Sequence, residues 1–113
     1  MNMKLPNYEH ANISLSKLQD YVLNENHPVG KYKARVFDSA LYIKSSDAET
    51  LKEKILLGLP DQDAIETEAD RYGKRFFVDI NIRNLNREAI VRTAWIVLQG
   101  EDFPRLVSCY VKK

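Results

Sequence analysis

The sequence predicts an α+β fold, with about three N-terminal helices packed on one face of a four-stranded antiparallel sheet. Apolar residues recur at helical spacing through about residues 12–59, whereas they alternate with polar residues from about 63 to 112. Short connections join the alternating segments, which favours hairpins over crossovers. We therefore expect one domain, residues 1–113, whose helical part precedes its sheet.

The first helix is predicted over residues 13–23, because its apolar residues fall on one face. Two N-terminal caps compete, either Ser14 alone or a capping box between Ser16 and Gln19. The helix should end near residue 24, before His27 and Pro28. Its apolar face consists of Leu15, Leu18 and Val22.

The second helix is predicted from Lys31 to Leu41 and the third from a capping box at Ser46–Glu49 to a stop at Gly58. Pro60 reinforces that stop, because proline cannot continue a helix. The residues expected to face the core are Val36, Phe37, Ala40 and Leu41 in the second helix, and Ala48, Leu51, Ile55 and Leu59 in and after the third.

Four strands are predicted over residues 64–72, 74–83, 88–99 and 105–112. The second strand has a clear apolar set: Phe76, Val78, Ile80 and Ile82. In the third strand two sets compete for the core. We assign Ile90, Ala94, Ile96 and Leu98 to the core, with Arg92 near its rim, and in the last strand Val107, Cys109 and Val111.

This assignment collects polar and aromatic side chains on the opposite face of the sheet. Aromatic rings there can stack on bases, and hydroxyl groups can donate to phosphate oxygens. The alternative is an ordinary half-exposed sheet face, in which threonine, tyrosine and tryptophan are common. The expected residues are Phe77, Asp79, Asn81, Arg83, Thr93, Trp95, Ser108 and Tyr110.

Charge distribution is more informative than the net charge of +1. Residues 1–44 carry six Lys/Arg and four Asp/Glu, residues 45–72 carry three and eight, and residues 73–113 carry eight and four. A polyanion should therefore meet surfaces formed by the two ends of the chain. No signal peptide or membrane span is apparent, so we expect no membrane partner.

The composition also excludes several kinds of site. A single cysteine, Cys109, excludes an internal disulfide, and its apolar alternating surroundings predict a small buried residue in a reducing compartment. There is no glycine-rich phosphate loop and no cluster of metal ligands, so neither a cofactor nor a metal is expected.

His27 is the most informative candidate for chemistry, because it precedes a helix carrying Lys31, Lys33 and Arg35. An imidazole can exchange protons near neutral pH, and the cations could stabilise a phosphorane. The alternatives are a histidine that caps the helix and a solvated helix face. Lys31 and Arg35 are four residues apart, which slightly destabilises a helix and hints at an anionic ligand.

Arg92 interrupts an apolar alternation and therefore needs a partner. That partner is either a phosphate or a carboxylate of this chain, Asp79 or Glu88. Tyr110 could act as an acid or orient a phosphate, or it could simply pack in its strand. Trp95 could stack on a base or anchor the core. The residues expected to bind a substrate without reacting are Lys33, Arg35, Arg83 and Trp95.

Four segments, residues 17–24, 27–34, 91–96 and 104–110, resemble an uncharacterised bacterial domain family. Its members often form the C-terminal domain of polymorphic or phage-associated toxins. The layout of helices followed by an antiparallel sheet is similar, more distantly, to the barnase/EndoU/colicin-type ribonuclease superfamily. That resemblance implies a catalytic set of His27, Lys31, Arg92, Thr93, Ser108 and Tyr110.

The function expected from this resemblance is a metal-independent ribonuclease toxin domain that cleaves RNA by 2′-hydroxyl transesterification. Its partners would be RNA and a cognate immunity or antitoxin protein, in the cytoplasm or after delivery into a target-cell cytoplasm. The alternative is a non-catalytic module that binds a protein or a nucleic acid, including an antitoxin-type partner whose acidic residues 61–70 meet a basic toxin.

Overall fold

The computed structural model describes residues 3–112 and confirms the α+β class, with three helices followed by a four-stranded antiparallel sheet. Met1, Asn2 and Lys113, which the predicted domain includes, lie outside the described residues. The helices are α1 (Leu15–Lys17), α2 (Lys31–Leu41) and α3 (Ala48–Gly58); the strands are β1 (Ala64–Asp70), β2 (Gly73–Asn84), β3 (Arg87–Leu98) and β4 (Arg105–Val111).

The first helix differs from its prediction, because α1 is a single α-helical turn that continues as a π-helical turn, Leu18–Val22. Ser14 is the N-cap, and its hydroxyl accepts a hydrogen bond from the Lys17 amide at 3.3 Å. The Ser16 hydroxyl instead lies 2.9 Å from that of Ser14, so the alternative capping box does not form. The wider π-helical turn still buries Leu18 and Val22 in the core.

Helices α2 and α3 bury most of their predicted apolar faces, but Val36 and Ala40 are only half-buried and Ala34, which was not predicted, is buried. The capping box predicted at Ser46–Glu49 does not form, since the N-cap of α3 is Asp47 and its side chain makes no capping hydrogen bond. Helix α2 has the predicted bounds, Lys31–Leu41, and α3 ends at Gly58, with Pro60 in the following 3-10 turn. The buried residues are Ala34, Phe37 and Leu41 in α2, Ala48, Leu51 and Ile55 in α3, and Leu59 directly after it. Within residues 3–112, no helix has the length and hydropathy needed to cross a bilayer.

The sheet is a meander in the order β1-β2-β3-β4. The register between β2 and β3 pairs Phe76 with Trp95, Val78 with Thr93 and Ile80 with Val91. Directly paired residues of neighbouring strands project to the same face. All six of these residues are buried, so this is the face that the helices cover.

The predicted core face of the third strand is therefore wrong. Thr93 and Trp95, expected on the open face, are 0% and 1% exposed, whereas Arg92 and Ala94 lie on the open face of β3. Alternation alone could not decide between the two sets, because both are largely apolar. The register decides, since one step moves every side chain of a strand to the other face.

Two hydrogen bonds explain how a threonine and an indole are tolerated in the core. The Thr93 hydroxyl donates to the carbonyl of Val78 at 2.7 Å and accepts from Nε1 of Trp95, also at 2.7 Å. Both polar side chains are thereby satisfied, which removes most of the cost of burying them.

Strand β4 also departs from simple alternation. A register shift between Ala94 and Trp95 pairs Leu106 with Trp95 and Ser108 with Ala94. Leu106 is therefore buried, whereas Val107 and Val111, expected in the core, are half-buried.

Cys109 is buried as predicted, and burial raises the pKa of its thiol to about 12. Because the thiolate is the reactive form, this cysteine is inert.

We expect Gly73→Ala to destabilise the fold by about 2–4 kcal/mol, because two costs combine. Gly73 has φ = 153°, and a Cβ there would lie 2.0 Å from the carbonyl oxygen of Val97. Urea denaturation of the purified variant measures the loss. Gly100→Ala is the matched control, since Gly100 has φ = 84° with no atom within 4 Å of its Cβ position. Equal losses in both variants would show that the Val97 contact is unimportant.

Candidate functional site

Polar side chains from three strands of the sheet and from α2 meet on the open face, near the edge formed by β4. Asp79, Arg92 and Tyr110 are cross-strand neighbours on that face. Arg92 donates two hydrogen bonds to Asp79, at 2.8 and 3.0 Å, and Nζ of Lys112 lies 3.1 Å from the same carboxylate. Nζ of Lys33, from α2, lies 4.8 Å from the centre of the Tyr110 ring. We call these five residues the strand cluster.

The strand cluster has a net charge of +2, because three cations accompany one carboxylate. The bidentate hydrogen bond from Arg92 lowers the pKa of Asp79; burial opposes this effect and Lys112 adds to it. Asp79 in turn raises the pKa of Arg92, so both groups are ionised. Arg92 therefore has the structural partner considered as an alternative to phosphate, and the excess positive charge comes from the two lysines.

A second group of cations lies on the exposed side of α2. Nζ of Lys31 and Cζ of Arg35 lie 5.2 and 5.8 Å from the centre of the Tyr32 ring, which is 64% exposed. Neither cation, nor Lys33, forms an ion pair with any residue between 3 and 112. We call Lys31, Tyr32 and Arg35 the helix cluster. Sequence reasoning missed Tyr32, although its position between cations was a usable signal.

His27 caps the turn that leads into α2, whose own N-cap residue is Gly30. Its Nδ1 accepts hydrogen bonds from the amides of Val29 and Gly30, both at 3.0 Å, and its ring contacts Tyr21 edge-on at 4.5 Å. A neutral imidazole whose Nδ1 accepts carries its hydrogen on Nε2. Neither nitrogen then has a free lone pair with which to take a proton from a ligand.

The structure thus divides the residues proposed from the sequence. Lys33, Arg92 and Tyr110 meet in the strand cluster, with Ser108 two residues before Tyr110 on the same face. Lys31 and Arg35 lie in the helix cluster. The remaining residues lie elsewhere: Thr93 and Trp95 in the core, and Arg83 four residues along β2 from Asp79, about 13 Å away.

Two residues of the strand cluster were not proposed as binding residues. Lys112 is the penultimate residue, and no sequence motif surrounds it. Asp79 was named only as a residue of the open face or as a partner of Arg92. Among residues 3–112 no group of three or more His, Cys, Asp or Glu side chains is arranged to hold a metal ion.

Comparison with protein families matches almost the whole chain to one family model. The model of a family described as a domain of unknown function, DUF6883, matches residues 4–113. No curated protein and no solved structure matches the chain.

We expect His27→Ala to destabilise the protein by about 1 kcal/mol, because the amides of Val29 and Gly30 lose their acceptor. His27→Asn should recover much of this loss, since asparagine is a good capping acceptor but cannot act as a base. Urea denaturation of both variants gives the comparison. Equal destabilisation by alanine and asparagine would contradict the capping role.

We also expect a pH dependence of stability that Asp79 carries. Because its pKa is lowered in the folded protein, the Asp79–Arg92 pair stabilises fully above the ordinary aspartate value of 3.8, and this contribution is lost as pH falls below it. Asp79→Asn should flatten the decline in unfolding free energy between about pH 4 and pH 2. Urea titrations across that range measure the slope.

The slope should not vanish in this variant, because hydrogen bonds also lower the pKa values of Asp70 and Glu101. Identical slopes for Asp79→Asn and the wild-type protein would show that the pair contributes nothing to acid sensitivity.

Proposed function

Because the chain belongs to the DUF6883 family, whose description names no activity, we propose a function from the geometry: this domain binds single-stranded RNA through the helix cluster and the strand cluster. One observation carries the proposal. Five cations are distributed around two tyrosine rings, with a single carboxylate among them.

Phosphate attraction accounts for the cations. The binding surface has a net charge of +4, although the whole chain carries only +1. Neutralising phosphates with Lys and Arg releases counterions from the nucleic acid, which supplies most of the affinity in sequence-independent binding. The three cations of α2 form no ion pair with any described residue, so binding would not have to break an ion pair to use them.

The exposed ring of Tyr32 favours a single strand over a duplex. Unpaired bases can stack on an aromatic side chain, whereas the bases of a duplex are already stacked on one another. Lys31 and Arg35, which lie 5.2 and 5.8 Å from the ring centre, can contact the phosphates next to a stacked base. This arrangement tolerates any base, because every base has a π-face.

A second candidate is the metal-independent ribonuclease expected from the toxin resemblance. It is favoured by the meeting of the Tyr110 ring with Lys33 and Arg92, since these residue types could protonate a leaving group and stabilise a phosphorane. The occupied lone pair of His27 and the burial of Thr93 weigh against it, because transesterification needs a base for the 2′-hydroxyl proton. A cognate immunity protein would then be expected to cover the same surface.

Fluorescence anisotropy with a labelled single-stranded RNA, measured over a series of salt concentrations, tests binding. We expect Lys31→Gln/Arg35→Gln to weaken binding about tenfold or more and to reduce the salt slope by about 1.4, since each phosphate contact contributes about 0.7. Tyr32→Leu should weaken binding about fivefold or more without changing the salt slope, because stacking releases no counterions.

Lys44→Gln/Lys74→Gln is the charge-matched control, since both lysines are exposed and lie in neither cluster. Equal losses of RNA affinity in the control and the α2 double variant would show that only the net charge of the protein matters. Gel analysis of the same RNA after incubation in chelator tests the second candidate. A 2′,3′-cyclic phosphate product that disappears in Arg92→Ala and Tyr110→Phe would establish cleavage, whereas intact RNA would leave a binding module.

A further inference from the structure

A cleft of about 530 Å³ adjoins the strand cluster along β4. Its walls come from the α1 region, with Ser14, Lys17, Asp20 and Tyr21, and from β4, with Ser108. Ser108, a predicted catalytic residue, thus lines this cleft. None of these five residues belongs to the strand cluster or the helix cluster.

Opposite charges line this cleft without forming an ion pair. Lys17 and Asp20 are both exposed and three residues apart, yet neither side chain is paired with a charged group among residues 3–112. The Asp20 carboxylate also accepts no hydrogen bond from the described residues, because the hydrogen bond from Asn24 goes to the Asp20 backbone carbonyl. Both groups are therefore available to a ligand that offers an anion and a hydroxyl donor.

The cleft lies next to the strand cluster, one of the two clusters proposed to bind RNA. Ser108 and Tyr110 are two residues apart on an extended strand, which is about 7 Å and close to one nucleotide step. Tyr21 is 38% exposed, and its ring makes an edge-on contact with the ring of His27. A strand whose phosphate contacts Lys33, beside Tyr110, can thus place the neighbouring nucleotide in the cleft.

We propose that this cleft is a ribonucleotide subsite that selects RNA over DNA through the ribose 2′-hydroxyl. The proposal rests on the RNA binding proposed above. Asp20 accepts the hydrogen bond of the 2′-hydroxyl, which deoxyribose cannot supply. Lys17 contacts the adjoining phosphate, and Ser108 hydrogen-bonds the sugar or the base edge. Tyr21 provides the ring on which the base stacks.

Two oligonucleotides of identical sequence, one RNA and one DNA, test the proposal by anisotropy at the same low salt concentration. The wild-type protein should bind the RNA about tenfold more tightly, the effect of one charge-assisted hydrogen bond. Asp20→Asn should reduce that ratio to about twofold, because the neutral amide forms a weaker hydrogen bond with the 2′-hydroxyl, whereas loss of the carboxylate charge affects RNA and DNA alike. Ser108→Ala should reduce the ratio in the same direction.

Glu53→Gln is the matched control, because it removes an exposed carboxylate from α3, away from the cleft. It should change RNA and DNA binding by the same factor. Equal affinity for RNA and DNA, or a preference that Asp20→Asn leaves unchanged, would overturn the subsite while RNA binding by the clusters stands. Binding of neither oligonucleotide would overturn both proposals.

Discussion

The register between β2 and β3 is the constraint on which the rest of the structure depends. It places Trp95 opposite Phe76 and Thr93 opposite Val78, so one face of the sheet holds two of the three largest fully buried side chains among the described residues. The two hydrogen bonds of the Thr93 hydroxyl complete this face by satisfying the indole and joining two strands. A shift of one residue would bury Arg92 and expose Trp95, at a cost no surface interaction could offset.

Helix α2 has two separate roles that its sequence combines. Its buried side packs Phe37 and Leu41 into the core, while its exposed side carries three cations and Tyr32. His27 caps the turn before this helix, and its Nδ1, which a general base would need to leave free, already accepts two backbone hydrogen bonds. The same residue cannot serve as cap and as base at one moment, which favours binding over catalysis on physical grounds.

The charges on the open face are arranged in two different ways. Arg92 donates two hydrogen bonds to Asp79, so its charge is neutralised within the chain. The cations of α2 have no such partner among the described residues and remain free for an external anion. The interruption of an apolar pattern by Arg92 thus reflects a partner within the chain, whereas Lys31 and Arg35, spaced as like charges, form no ion pair with any described residue.

The sequence alone determined the class of the fold, the bounds of α2 and the order of the strands. These features follow from local information: the period of the apolar residues, the caps and breakers, and the length of each connection. It also determined that α2 carries exposed cations, because an amphipathic helix has only one way to bury Phe37 and Leu41.

Only the tertiary structure decided which face of β3 is buried and what His27 contacts. Both alternating sets of β3 are apolar enough for a core. The choice between them depends on the register with β2, which the local sequence of β3 does not determine. A histidine before a helix can cap it or face a ligand, and the backbone geometry of the next three residues settles this. Tertiary packing brings Lys33 to Tyr110, 77 residues later in the chain. A contact between residues so far apart cannot be predicted from local sequence patterns.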